Sequence, residues 1–309
     1  MHINARNVGV AQNRPRFIMI AIREDIYSNI NTTFSEVEQQ VFKPAFAFFE
    51  AIKQGKQHEN YTYLDFSNPL HEQLFNGSFL AHLVTGKSTN VRDVIDDLKF
   101  ETPATPSSFI KELNKTFASI IKKSHTIHNH EPRNNNEQVR RRFRIYQVML
   151  SCSRVANAEI AAILKGKSKE LSASSWAELQ KFSYLQINSK QAPFNSKQAF
   201  IDFISNHQTK KRTQKALDGN NPAPAALSIP DDTCHYDERE LRTLTVREMA
   251  RIQSFPDSFK FRSKITTGGQ MRRFEVPQYT QVGNAVPPLL GLAIGRCVID
   301  LLSRARTND

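Results

Sequence analysis

The sequence predicts an α/β protein, and three observations lead to this fold class. Residues 17–22 form a continuous apolar run, which is typical of a strand buried on both faces of a parallel sheet. The following two hundred residues are polar and helix-leaning. Pro287-Pro288 then opens a long helix. The predicted apolar stripe of that helix is Leu290, Ile294, Cys297, Val298 and Leu301.

The predicted strand lies unusually early in the chain, because only 16 residues precede it. A parallel strand needs neighbours and crossover helices, so either later strands complete the sheet or the sequence begins inside a domain. A bare strand of this composition would aggregate. We therefore expect its neighbours to come from later strands or from another polypeptide.

The charge balance indicates a polyanion partner. The chain of 309 residues carries a formal net charge of +12 and has a pI of about 9.7. Nucleic acid is the simplest such partner, and a basic but merely solvated surface is the alternative. The three cysteines form no CxxC pair, which indicates a reducing, cytoplasmic setting. The sequence contains no run of about 18 consecutive apolar residues, so no membrane span is predicted.

A helix start is well defined in the last third of the chain. Thr245 and Glu248 have the spacing of a capping box, in which each side chain satisfies a backbone N–H group at a helix start. Val246, Met249 and Ala250 give this helix one apolar face. We expect it to end near residues 255–257, FPD.

Three segments together resemble one family, the DNA cytosine-5 methyltransferases. Residues 9–16, GVAQNRPR, look like the family's Gln-x-Arg-x-Arg motif. Residues 242–257, RTLTVREMARIQSFPD, resemble its penultimate motif, and residues 278–288, QYTQVGNAVPP, resemble its last motif. The gap of about 220 residues lies where the family places its variable target-recognition region.

The resemblance implies a partial Rossmann-like methyltransferase domain with an inserted, mixed α+β target-recognition domain. Residues 1–26 would end the catalytic domain and residues 27–226 would form the recognition region. Residues 227–273 would support the recognition domain, and residues 274–309 would return to the catalytic domain. Arg247 and Glu248 resemble a charged pair that braces the recognition domain; the alternative is a simple cap beside a solvated arginine.

Arg14 and Arg16 stand two residues apart just before the predicted strand, so we expect both to point the same way. An enzyme of this family takes cytosine out of the DNA stack. The resemblance implies that Arg16 contacts the flipped cytosine, that Arg14 supports it and that Gln12 braces the loop. Two surface arginines flanking a strand are the alternative.

The resemblance also implies S-adenosylmethionine as cofactor. Asn284 and Ala285, between a glycine and a proline-initiated helix, would approach its carboxylate end. An ordinary helix start is the alternative. His125, His128 and His130 are closely spaced, but no cysteine or carboxylate pair accompanies them at ligand spacing, so no metal site is expected. The candidate phosphate contacts, each with a solvated face as alternative, are Arg140, Arg141, Arg142, Arg144, Lys210, Lys211 and Arg212.

Several family features are absent from the 309 residues. The cysteines follow Ser151, Thr233 and Arg296, so none stands in the family's Pro-Cys-Gln run, and no Gly-x-Gly turn occurs. We expect two partners. One is double-stranded DNA, and the other is a second polypeptide that supplies the nucleophilic cysteine and glycine-rich cofactor motifs. The hypothesis is a split methyltransferase of a bacterial restriction-modification system. An inactive gene remnant and a stand-alone DNA-binding module are the alternatives.

Overall fold

The structure is a computed structural model that describes residues 1–56, 63–121, 126–211, 214–225, 233–266 and 274–306. The described residues form a mixed α/β chain with small sheets and many helices. The strands are β1 His2–Asn4, β2 Pro15–Phe17, β3 Tyr184–Leu185, β4 Gln191–Ala192, β5 Lys215–Ala216 and β6 Thr233–Cys234. The helices are α1 Glu24–Ile30, α2 Glu36–Lys53, α3 Pro69–Asn76, α4 Val91–Ile95, α5 Ser108–Thr116, α6 Glu137–Met149, α7 Arg154–Leu164, α8 Ala173–Leu179, α9 Lys197–Ser205, α10 Val246–Ile252, α11 Gln278–Asn284 and α12 Pro288–Arg306.

The chain divides into two compact units. Unit 1 comprises residues 1–90, 252–255 and 285–309, and unit 2 comprises residues 91–251 and 256–284. The predicted boundaries at residues 26, 226 and 273 describe functional regions rather than compact bodies, and they stay predictions.

Unit 1 begins with an antiparallel hairpin instead of the predicted parallel strand. β1 pairs with β2 in the register Ile3↔Arg16, and the amino group of Met1 donates to the carbonyl of Ile18 at 2.7 Å. Beyond Phe17 the apolar run has no regular secondary structure. The prediction of a strand over 17–22 was therefore wrong in extent and partner. The reason is that the chain's own first residues fold back on the segment and supply its backbone partners.

The core of unit 1 forms where α12 packs with the N-terminal residues and the short helical turn Phe79–Leu83. Leu290, Cys297 and Leu301 of the predicted stripe are buried there, whereas Val298 is partly exposed. Near its C-terminus, the Arg304 guanidinium donates to both carboxylate oxygens of Glu38, at 2.8 and 2.9 Å. This bidentate pair fastens α12 to the start of α2.

Two apolar surfaces of unit 1 are uncovered. Phe17 and Met19 are 61% and 82% exposed, and Ile299 on α12 is 65% exposed.

By length and composition alone, the stretch Gln278–Ala305 could cross a membrane, with a mean hydropathy of 1.7. The core helix of a soluble protein passes the same test, and residues 285–287 separate α11 from α12 within this stretch. The stretch Gln278–Ala305 is not an uninterrupted apolar run, so the criterion of consecutive apolar residues in the sequence does not identify it.

Unit 2 has its own apolar core. The inner faces of α6, α7 and α9 contribute most of the buried side chains, and Phe143, Ile160, Leu179 and Phe200 are almost fully inaccessible. The short parallel pair β5–β6 closes one side, with Ala216 opposite Cys234. Serine caps begin several helices; the Ser153 and Ser196 hydroxyls accept from the third residue of α7 and α9, respectively.

Candidate active-site and DNA-recognition residues

Arg14 joins two distant parts of unit 1. Its side chain is 5% exposed, and its Nη2 donates to the carbonyl of Ala285 at 3.3 Å. Its backbone N–H donates to the Asn4 side chain at 2.9 Å. Burial, followed by the nearby Arg16 charge, lowers the pKa of Arg14 to about 10, so the guanidinium stays charged at neutral pH. The two segments that it connects are 271 residues apart in sequence.

Arg16 occupies a different environment from Arg14. It lies in β2 opposite Ile3, is partly exposed, and donates from Nη1 to the carbonyl of Pro15 at 2.7 Å. Gln12 is fully buried in the loop before β2. Arg16 can therefore reach a ligand, whereas Arg14 and Gln12 act inside the fold. The roles assigned to all three by resemblance stay predictions.

The turn after α11 carries the predicted cofactor residues. Asn284 is the last residue of α11 and is exposed, and Ala285 follows it directly. Such a turn fits the carboxylate end of a cofactor in two respects: the Asn284 amide is accessible, and the Arg14 charge lies beside Ala285. The adjacent helix start contributes less than expected, because Pro288 has no N–H and the Leu289 N–H is already bonded.

Ser254 supplies the acceptor for Leu289. Its hydroxyl accepts from the Leu289 N–H at 3.1 Å, so the first turn of α12 is capped by a residue 35 positions earlier in the chain. Ser254 is fully buried and has a φ of 66°, a left-handed conformation that a side chain disfavours. Sequence reasoning missed this contact. The only signal was a serine just before Phe-Pro at a helix end.

Helix α10 in unit 2 begins as predicted and is more deeply buried than predicted. The Thr245 N–H donates to Glu248 Oε2 at 2.7 Å, and the Glu248 N–H donates to the Thr245 hydroxyl at 3.2 Å, which confirms the capping box. Arg247 is fully buried, so the alternative of a solvated arginine is wrong. Its guanidinium donates to the backbone carbonyls of His128, Pro256 and Phe259.

Arg242 and Arg251 complete an ionic cluster around α10. Arg242 donates to both carboxylate oxygens of Glu248 at 2.8 Å and to Glu240 at 2.5 Å. Arg251 donates to Asp97 at 2.6 Å and to both carboxylate oxygens of Asp257, at 2.7 and 2.9 Å. Burial raises the pKa of Glu248, but its bonds with Arg242 outweigh burial and the net pKa is lowered. These arginines therefore hold unit 2 together.

The predicted arginine cluster on α6 is largely engaged inside unit 2. Arg144 donates to the carbonyl of Ser183, Arg141 to those of Gln186 and Ile187, and Arg142 to that of Gln208. Arg140 pairs with Glu137 at 2.7 Å. Consecutive helical residues point about 100° apart, so neighbours in sequence do not share a face. Their role as phosphate contacts stays a prediction. Lys210 and Lys211 are exposed, and Arg212 lies outside the described residues.

The three cysteine thiols have raised pKa values. Burial is the leading cause that raises the pKa of Cys152 and of Cys297 to about 11, and it raises the pKa of Cys234 further. The described residues contain no cluster of three His, Cys, Asp or Glu side chains suited to a metal ion. His130 contacts the Thr245 hydroxyl at 2.9 Å and stacks on Phe100.

Comparison with known proteins gives the family. The family model described as C-5 cytosine-specific DNA methylase matches residues 2–300. This chain belongs to that family. The matched residues include Arg14, Arg16 and Asn284, and the comparison assigns no role to any residue.

Three relatives show how much of a C-5 methylase the chain covers. M.OihORF3336P of Oceanobacillus iheyensis is 25% identical over 306 residues, which are 96% of this chain and 60% of the relative. The type II methyltransferase M.AquIB of Picosynechococcus is 39% identical over 92 residues, 29% of this chain and 65% of the relative. The type II methyltransferase M.Bpa9945I of Bacillus paralicheniformis is 49% identical over 69 residues, 22% and 13% respectively. In all three, this chain spans less than two thirds of the relative.

Proposed function

We propose that this chain is the DNA-reading part of a DNA cytosine-5 methyltransferase of a bacterial restriction-modification system. The observation that carries the proposal is the bond from Arg14 to the carbonyl of Ala285. It brings the segment of the Gln-x-Arg-x-Arg motif, proposed to hold cytosine, beside the turn proposed to meet the cofactor. Two bacterial relatives in the comparison are named type II methyltransferases, which supports the restriction-modification setting.

In the proposed reaction, a thiolate adds to C6 of the flipped cytosine and makes C5 nucleophilic. After C5 has gained a methyl group, a base removes the C5 proton, and the C6–S bond breaks to restore the ring and release the thiolate. S-adenosylmethionine, when bound, supplies the methyl group. Within this chain, Arg16 holds the cytosine by donating from its guanidinium, and Arg14 keeps the Arg16 strand in register with the Ala285 turn. Asn284 would donate to the carboxylate of the cofactor.

The proposed nucleophile lies on a second polypeptide. The three cysteines here have raised pKa values, and none follows a proline. A thiol that stays protonated is a poor nucleophile. The relative from Oceanobacillus contains 40% of its length outside the match, which is room for the missing motifs. Exposed Phe17, Met19 and Ile299 offer apolar surface that such a partner would bury.

The test is reconstitution with a polypeptide that carries the Pro-Cys-Gln and glycine-rich motifs. We expect single-turnover methyl transfer from the mixture and none from this chain alone. Arg16→Ala should lower the rate about a hundredfold, as loss of one donor to the reacting group does. DNA affinity should stay within about threefold, because backbone contacts dominate affinity. Arg23→Ala, which removes an exposed arginine that pairs with Asp25, is the matched control.

Four results would contradict parts of the proposal. Methyl transfer by the isolated chain would place the nucleophile within it. A normal rate for the Arg16→Ala complex would remove the role of that residue. Failure of every such polypeptide to associate would favour an inactive gene remnant, and DNA binding without any methyl transfer would favour a stand-alone binding module.

A further inference from the structure

A cleft of about 290 Å³ lies on unit 2, where the end of α6 and the length of α7 meet residues 209–211 and 214–216. Tyr146, Met149, Ala161 and Leu164 form an apolar floor. The charged residues that line the cleft within the described parts of the chain are all lysines: Lys165, Lys211 and Lys215. The charges contributed by the described lining are therefore all positive, which favours an anionic ligand.

Local structure explains why the lysines point into the cleft. Lys215 lies in β5, next to Ala216, and side chains alternate along a strand. Ala216 is buried in the core, so Lys215 points outward. Lys165 ends α7, and the turn at Gly166, with a φ of 67°, lies so close to Gln208 that a Cβ there would approach its amide at 3.1 Å. This turn fixes the position of Lys165.

The lysines of the cleft differ from the arginines of α6 in what they already bind. Lys165 and Lys215 have no ion pair in the parts of the chain that the structure describes, and both are exposed. The arginines at 141, 142 and 144 are hydrogen-bonded to backbone carbonyls of unit 2. A phosphate at α6 would compete with those carbonyls, whereas at Lys165 and Lys215 it would meet exposed ammonium groups.

We propose that the cleft rimmed by Lys165, Lys211 and Lys215 holds the sugar-phosphate backbone of DNA. The proposal rests on the function proposed above and makes this cleft, rather than the α6 arginines, the principal backbone contact of unit 2. Lysine ammonium groups neutralise phosphates without reading sequence. The apolar floor lies where deoxyribose would pack. A positive lining together with a net charge of +12 fits this occupant.

The first experiment measures DNA affinity of the full chain, with its reconstituted partner present, between 50 and 200 mM salt. For Lys165→Gln/Lys215→Gln we expect the slope of log affinity against log salt to fall by about 2, since each phosphate contact contributes about 0.9. The loss of DNA affinity of the variant relative to the wild type should therefore be about tenfold smaller at the highest salt concentration than at the lowest. Lys181→Gln/Lys190→Gln removes the same charge from exposed positions of unit 2 outside the cleft and should leave the slope nearly unchanged.

The second experiment locates the contact directly. Acetylation of the complex followed by mass spectrometry should show Lys165 and Lys215 protected by DNA, and Lys181 and Lys190 modified as in free protein. An unchanged slope for the cleft variant, equal effects of both double variants, or no protection at Lys165 and Lys215 would each overturn the cleft while leaving the proposed function intact. A wild-type complex that binds no DNA at any salt concentration would overturn both.

Discussion

The Ser254 position allows a quantitative prediction, because its backbone conformation lowers the free energy of unfolding whereas its hydroxyl bond raises it. The left-handed φ of 66° costs a residue with a side chain about 1 kcal/mol relative to glycine. The hydroxyl bond to the Leu289 N–H, which caps α12, stabilises by about 1 kcal/mol. Ser254→Ala should keep the strain and lose the cap, and should lower the free energy of unfolding by about 1 kcal/mol. Ser254→Gly should lose the cap and relieve the strain, and should be nearly neutral.

Two measurements check this reasoning. Urea unfolding should rank the glycine variant above the alanine variant, which is the reverse of their order in an ordinary helix interior. Amide exchange at Leu289 should become about fivefold faster in both variants, because both leave that N–H without its acceptor. An alanine variant as stable as the glycine variant, or a Leu289 amide that exchanges at the wild-type rate, would refute the argument.

Three further predictions concern single side chains. Arg247→Met should lower the free energy of unfolding by about 3 kcal/mol in urea, because three buried carbonyls lose their donor, and Arg140→Met, at a half-exposed position, should cost under about 1 kcal/mol. Burial lowers the pKa of His235 to about 4. The contribution of His235 to stability is therefore complete above pH 6.5 and is lost as the pH falls from 6.5 towards 4. His235→Asn should remove about 3 kcal/mol of that pH dependence, which unfolding measured across this pH range would show. Asn284→Asp should raise the cofactor KM of the reconstituted complex about tenfold without changing DNA affinity, because a second carboxylate would face that of the cofactor; an unchanged KM would contradict the assignment.

Local patterns predicted local structure well. The Thr245–Glu248 capping box and the helix after Pro287 depend on residues that are neighbours in the chain, and both are present. The apolar run 17–22 failed as a predictor, because apolarity indicates burial but does not name the partner strand. Its first residues pair with the chain's own N-terminus, and Met19 is left exposed.

Contacts between distant residues were beyond sequence reasoning. Nothing local distinguishes Arg247, which is fully buried, from a solvated arginine, because its three acceptors lie in two other segments. The same holds for Ser254, whose partner is 35 residues away. The arginines of α6 looked like one positive patch because they are adjacent in sequence. On the helix they point in different directions and bind different carbonyls.

The carbonyl cage of Arg247 limits how recognition specificity can be exchanged between relatives. The guanidinium takes its acceptors from His128, ahead of α6 to α9, and from Pro256 and Phe259, after α10. A chimera that changes the backbone path at His128 but keeps the native α10 would remove one of the three carbonyl acceptors of a buried cation. Junctions placed between residues 130 and 242 would keep the cage whole while replacing the cleft and α6 through α9. Helices α6 to α9 and the proposed DNA-binding cleft could therefore be exchanged between relatives, while the carbonyl acceptors of Arg247 would be kept.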